Sequence, residues 1–192
     1  MYRKEPMDVL TAINTRVSAL KLSDPGPTRE HLNEMLRAGA HAPDHGRLGP
    51  WRFVIVEGEG RSILGDALAA STKARSPDAS QSTLDTEKQK AFRAPSIIIV
   101  AARLVDRGQS IPAIEQILAA GAAAQNIMLA AHALNYGAMW KTGQAVYDSS
   151  FKLSIGLEPE DHVVATIYLG TTTTPGQPRD RDFESKTRWL SS

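Results

Sequence analysis

Apolar positions along the chain alternate between helical and extended spacing. Val9, Leu10, Ile13 and Val17 recur at helical intervals and predict a short first helix. Pro25-Gly26-Pro27 then breaks the chain. Thr28 follows where its hydroxyl would cap a second helix by accepting from an unpaired backbone N–H. Leu32, Met35 and Leu36 form that helix's apolar stripe. It should end near Gly39 to Ala42, because Pro43 disfavours helical geometry in the residue before it. Phe53-Val54-Ile55-Val56 predicts a buried strand, with a helix from about Arg61 to Ala74 after it. Arg75 to Thr83 is polar and predicts a mobile loop, and Leu84 to Arg93 another helix. Ile97-Ile98-Ile99-Val100 predicts a second buried strand, introduced by Pro95.

Pro112 suits the first turn of a long helix running to about Asn135, since its missing N–H would be unpaired there in any case. Ile114, Ile117, Leu118, Gly121 and Met128 mark one apolar face; Ile127, Ala130 and Leu134 mark another. A helix apolar on most sides is buried. Its small residues at 119–124 allow a neighbouring backbone to come close, either within the chain or in a dimer. Ala138-Met139-Trp140 predicts a short strand, Asp148 a cap for a helix through Ile155, and Val163 to Leu169 a last strand. From Thr171 onward no core pattern appears. There is no internal repeat and no sign of a second domain, so residues 1–192 read as one domain. Helices and strands alternate without a strict βαβ rhythm. The expected class is therefore a mixed three-layer α/β (α+β) arrangement, a central sheet flanked by helices.

Composition narrows the possibilities. The 192 residues are 42% apolar, enough for a sizeable core. Basic and acidic residues number 22 and 21, which argues against nucleic-acid binding driven by overall positive charge, though a local basic patch stays open. Without cysteine there are no disulfides, thiolate metal sites or iron–sulfur clusters. The N-terminus lacks a signal peptide's apolar stretch, and no run of apolar residues is long enough for a membrane span, so a cytoplasmic location is expected.

Some tempting motifs fail. Gly58-Glu59-Gly60 sits between strand and helix, as a dinucleotide loop would, but Ile63 replaces the third glycine and Glu57 and Glu59 would repel a pyrophosphate. His41 and His45 have the spacing of a helical metal pair, yet Pro43 lies between them. Ser18, Ser96 and Ser154 invite a hydrolase reading, but none lies in G-x-S-x-G.

Three polar clusters remain: Thr15-Arg16-Val17-Ser18, the loop from Ala42 to Trp51, and Gly137 to Gly143. Singly, each has a plain explanation: a helix-end cation, a turn, and a core tryptophan with its neighbours. Jointly and in this order they resemble the nitroreductase family, specifically a short bacterial subgroup. That subgroup has R-R-S near the N-terminus, A-P-D-H…P-W after the second helix, and W-R-S or a variant after the long helix. The matching residues are Arg16-Val17-Ser18, Ala42-Pro43-Asp44-His45 with Pro50-Trp51, and Trp140-Lys141-Thr142. Tyr168-Leu169-Gly170-Thr171 resembles the family's closing strand.

The resemblance implies an interlocked homodimer with FMN at the subunit interface and NAD(P)H as electron donor. It implies that Arg16, Val17 and Ser18 meet the phosphate and ribityl side, with Arg16 as the charged anchor. His41 and His45 fall where the subgroup makes further FMN contacts, and Trp140, Lys141 and Thr142 match the third contact segment. Arg179 and Arg181 resemble a late basic pair that closes on the phosphate; a surface charge cluster is the alternative. Turnover would be ping-pong, from NAD(P)H through flavin to a nitroaromatic, quinone or similar small-molecule acceptor, with no catalytic residue required of the protein. Three departures stand out. Val17 replaces the second Arg of R-R-S, His41 replaces the Arg before A-P-D-H, and Arg47 and Gly49 stand where larger relatives have Asn and Gln. The rival readings are a flavin-binding protein with negligible turnover, a different flavin reaction on the same fold, and a hydrolase.

Overall fold

The residues Ser96–Ala102 form a strand buried along its whole length, and the fold is layered around it. In the computed structural model, which describes residues 7–106, 108, 111–172, 174 and 176–190, this strand (β2) lies inside a four-stranded sheet. Its neighbours are β1 (Trp51–Glu57) and β4 (His162–Gly170), and β3 (Gly137–Lys141) pairs beyond β4. All three pairings are antiparallel. The parallel component expected of a mixed sheet is confined, among the described residues, to an isolated bridge between Ser18 and Ala138.

Alternation along β2 splits the core in two. Ile98, Val100 and Ala102 face helices α2 (Arg29–Ala40) and α5 (Ala113–Ala133), where Leu32, Met35, Ala124 and Ile127 close the packing. Ile97, Ile99 and Ala101 face the opposite layer, where α3 (Gly60–Arg75) contributes Leu64 and Ala67, and α6 (Ser149–Ser154) contributes Phe151. Helix α4 (Gln81–Gln89) packs on α3. The result is the three-layer α+β arrangement, helices on both faces of the sheet.

Local chemistry sets the boundaries. Thr28 caps α2 by accepting from the His31 N–H, and Asp148 caps α6 by accepting from the Ser150 N–H. The polar stretch expected as a loop to Thr83 is shorter, because Ser80 accepts from the Thr83 N–H and starts α4 at Gln81. The first helix, α1 (Val9–Thr15), stops short of Val17. Its apolar stripe faces outward: Val9 and Leu10 are about two-thirds exposed, and only Ala12 is buried. On α5 the buried face is the small one, with Ala119, Ala120, Ala123 and Ala124, whereas Ile114 and Leu118 are exposed. Residues 176–190 are exposed throughout, with Phe183, Trp189 and Leu190 among them. Among the described residues no helix is long and apolar enough to cross a membrane. Residues 1–6, read above for a leader, lie outside the described ones.

Candidate functional site

After α1 the chain straightens at Arg16 (φ −63°, ψ 126°) and runs beside β3. Ser18 bridges Ala138, and the Ala19 N–H donates to the Ala138 carbonyl at 2.9 Å. The close approach depends on Gly137: a Cβ there would stand 2.7 Å from Leu22 Cδ2 and 3.0 Å from Ala19 Cβ. The first and third polar clusters are thus neighbours. Arg16 has a guanidinium nitrogen, Nη1, that is buried and has no hydrogen-bond partner among the described residues. Such an atom costs about 1–3 kcal/mol of uncompensated desolvation, more when charged. Next to it, the Thr15 hydroxyl lies 2.9 Å from Nε2 of His132, at the C-terminal end of α5.

Two cavities open beside β3. One, of about 500 Å³, is lined by the segment from Ala19 to Ser23. The other, of about 340 Å³, reaches along Lys141, Thr142 and Gly143 toward α3. They share Arg93, Lys141 and Tyr168. Their combined walls carry the cations Lys21, Arg75, Lys90, Arg93 and Lys141 and one carboxylate, Glu87. Glu87 is ion-paired with Lys90. Burial pushes the pKa of the Tyr168 hydroxyl up; Arg93 lowers it and Glu87 raises it. Alternation on β3 sends Met139 and Lys141 to the cavity face, while Trp140 packs against the α2/α5 core. Sequence reasoning singled out none of Lys21, Arg75, Glu87, Lys90 and Arg93. The clue was available in Lys88, Lys90 and Arg93, a basic run just before the buried β2, in a segment read only as a helix.

The second cluster is a tied loop. Helix α2 ends at Ala40, with His41 exposed in the cap position. The Asp44 carboxylate accepts from the Gly49 N–H at 2.6 Å, and Gly46, Arg47 and Gly49 all take positive φ. The Arg103 N–H donates to the Pro50 carbonyl at 2.8 Å, and its guanidinium grips Asp161 through two bonds of 2.8 and 2.7 Å. Asp161 is 1% exposed and also accepts from the Glu158 N–H. Burial pushes the Asp161 pKa up, but its bonds to Arg103 and Glu158 outweigh this and hold the carboxyl below the usual range.

His45 lies 2.5 Å from Glu115, at the N-terminal end of α5. Arg16 sits by His132 at the other end, and residues 115 to 132 of a helix span about 25 Å at 1.5 Å rise per residue. One chain therefore does not bring His45 and Arg16 to a common point. Arg179 and Arg181 lie in the exposed tail, and their guanidinium groups make no hydrogen bond or ion pair among the described residues. The tail does pass the first cluster, because a Cβ on Gly176 would meet Val17 at 3.1 Å.

The rejected motifs have ordinary roles. Gly58, at φ 51°, makes a simple turn from β1 to α3. Ser96 is buried and donates to Glu57 at 2.7 Å, and Ser154 donates to the Ser150 carbonyl. Among the described residues no group of three His, Asp or Glu is placed to hold a metal ion.

This fold, with one buried arginine nitrogen near an edge strand and cation-lined cavities along that strand, has known counterparts. The Nitroreductase family model matches residues 13–171, and the chain belongs to that family. An Escherichia coli K12 protein named "Putative NAD(P)H nitroreductase YdjA" is 36% identical over 165 residues, 86% of this chain and 88% of that one. A Haemophilus influenzae "Putative NAD(P)H nitroreductase" is 32% identical over 180 residues, 94% of this chain and 97% of that one. Among solved structures, a Desulfovibrio desulfuricans "putative nitroreductase in complex with FMN" is 27% identical, with a TM-score of 0.72, covering 98% of this chain and 99% of that one.

Proposed function

We propose that residues 1–192 form a single FMN-dependent NAD(P)H oxidoreductase domain that works as an interlocked homodimer. The observation that supports it most is the Arg16 Nη1, buried and without a hydrogen-bond partner among the described residues. A guanidinium in that state suits a phosphate, which accepts charge-assisted hydrogen bonds in matching geometry. The cavity volumes also fall in the range used by small-molecule and cofactor sites. The name of the Desulfovibrio relative includes FMN, and the named relatives are NAD(P)H nitroreductases.

In this reading Arg16 binds the phosphate, and the Val17 backbone and Ser18 hydroxyl meet the ribityl chain. Lys141 and Thr142 border the ring, with Trp140 fixing their strand from behind. Arg179 and Arg181 close over the phosphate from the tail. His41 and His45 act on the site of the second subunit, since their own Arg16 lies at the opposite end of α5. When bound, FMN supplies hydride acceptance from NAD(P)H and hydride donation to a nitroaromatic, quinone or similar acceptor. Cations on the cavity wall favour negative charge developing on the ring. This chemistry requires no side chain to act as acid, base or nucleophile. The cytoplasm is the proposed location.

The test is direct. Acid or heat should release FMN from the purified, yellow protein. The holoprotein should oxidise NAD(P)H steadily with a nitroaromatic acceptor, and light scattering should give about twice 20.8 kDa. A colourless protein that takes up no FMN would end the proposal.

A further inference from the structure

The two cavities around β3 are lined by five cations and a single carboxylate. Glu87 is that carboxylate. It sits on the last turn of α4 with its side chain about one-quarter exposed, and it pairs with Lys90 three residues on, itself about one-third exposed. Both line the cavity that runs along Lys141, Thr142 and Gly143. The pair is far from a typical surface ion pair, because low exposure limits screening by water.

Arg75 has other partners, Ser71 and Thr72, and Arg93 and Lys141 make no ion pair among the described residues. Glu87 therefore cancels one cation and leaves the other four uncancelled. Its field reaches the shared wall, since Tyr168 responds to Glu87 and to Arg93 with opposite signs.

We infer that Glu87 is a redox-tuning residue: by neutralising Lys90 it lowers the potential of a flavin held in these cavities. The inference rests on the FMN reading above. Reduction adds negative charge to the flavin ring. A free Lys90 ammonium would favour that charge, and a Lys90 matched by Glu87 favours it less. Glu87 thereby keeps the reduced cofactor a stronger donor. It is a positioning residue for charge and touches no reacting atom.

The experiment measures the midpoint potential of FMN-loaded protein by anaerobic titration against a reference dye, for wild type, Glu87→Gln, Lys90→Gln and the double variant. Glu87→Gln should favour binding of reduced over oxidised FMN by about ten-fold, a positive shift of about 30 mV for a two-electron couple. Lys90→Gln should shift the potential negative, and the double variant should return close to wild type. The affinity for oxidised FMN should change little in Glu87→Gln, which separates tuning from damage to the pocket. Shifts of the same sign in both single variants, or no shift in Glu87→Gln, would overturn the inference. Wild type that binds no FMN would overturn the flavin reading along with it.

Discussion

Two arginines sit at opposite ends of the sheet and are treated in opposite ways. Arg103 follows β2, and its guanidinium holds the buried Asp161 through two bonds, while its backbone N–H holds the Pro50 carbonyl. Arg16 lies beside the start of β3 with a nitrogen buried and unmatched. A matched buried charge resists removal of its partner, because the loss strands the other charge. An unmatched one weakens the free protein and is useful only to an incoming anion. The first arrangement belongs to the scaffold, and the second is the one the proposed phosphate site draws on.

The largest expected effect is on the matched pair. Asp161→Ala should lower the unfolding free energy by about 2–4 kcal/mol, at the low end for a broken buried pair because Arg103 is partly exposed. Urea melts would measure it, and a loss under about 1 kcal/mol would mean that Arg103 is as loosely held as Arg16. The same contribution depends on pH. The Asp161 pKa is held down in the folded state, so its stabilisation is present above the unfolded value, about 3.9, and fades as pH falls through the lower folded value. The stability gap between wild type and Asp161→Asn should therefore narrow between neutral pH and pH values below about 3.9. A gap that is constant with pH would remove the ionised carboxylate from the account.

Arg16→Ala should behave in the contrary manner. FMN affinity should fall by roughly ten- to a hundred-fold, matching the loss of a charge-assisted bond to phosphate of about 1.5–3 kcal/mol. Riboflavin, which lacks the phosphate, should bind both forms alike, and the apoprotein should lose no stability. Fluorescence titration of both flavins into apoprotein would decide it. Equal weakening for FMN and riboflavin would make Arg16 a structural residue like Arg103.

His45→Ala is the smallest change and tests where the site ends. The His45–Glu115 pair is exposed, so its removal should cost less than about 1 kcal/mol of stability. FMN affinity should still drop several-fold if His45 reaches the second subunit's flavin. Unchanged affinity would confine the site to one chain.

Much of this was legible in the sequence. The apolar runs at Phe53–Val56 and Ile97–Val100 announced buried strands, and Thr28 and Asp148 announced caps, because each signal is local. Arg16, Ser18, Lys141 and Thr142 stood out through motif order. The helical spacing of Val9, Leu10 and Ile13 announced α1, but not that these side chains face outward among the described residues. The antiparallel order β1-β2-β4-β3 was hidden because it depends on pairings between distant segments. The Glu87–Lys90 pair was hidden for the same reason: i,i+3 charges on a polar helix look solvated until another element roofs them.

The single bridge between Ser18 and Ala138 has a consequence for the order in which the molecule assembles. It joins the first turnings of the chain to a strand formed after the long helix, so it closes a long loop with few bonds. Loop entropy makes such a contact late to form and early to open. The sheet core, by contrast, is locked by β2 and its two flanking strands. Opening at Ser18 frees Arg16 and the start of the wall at Ala19, while the backbone bonds between Ser23 and Thr171 hold its far end and the core stays intact. Local unfolding of this kind occurs at a fraction of the global cost. The fold thus gives this edge of the molecule a way to open that does not pass through denaturation.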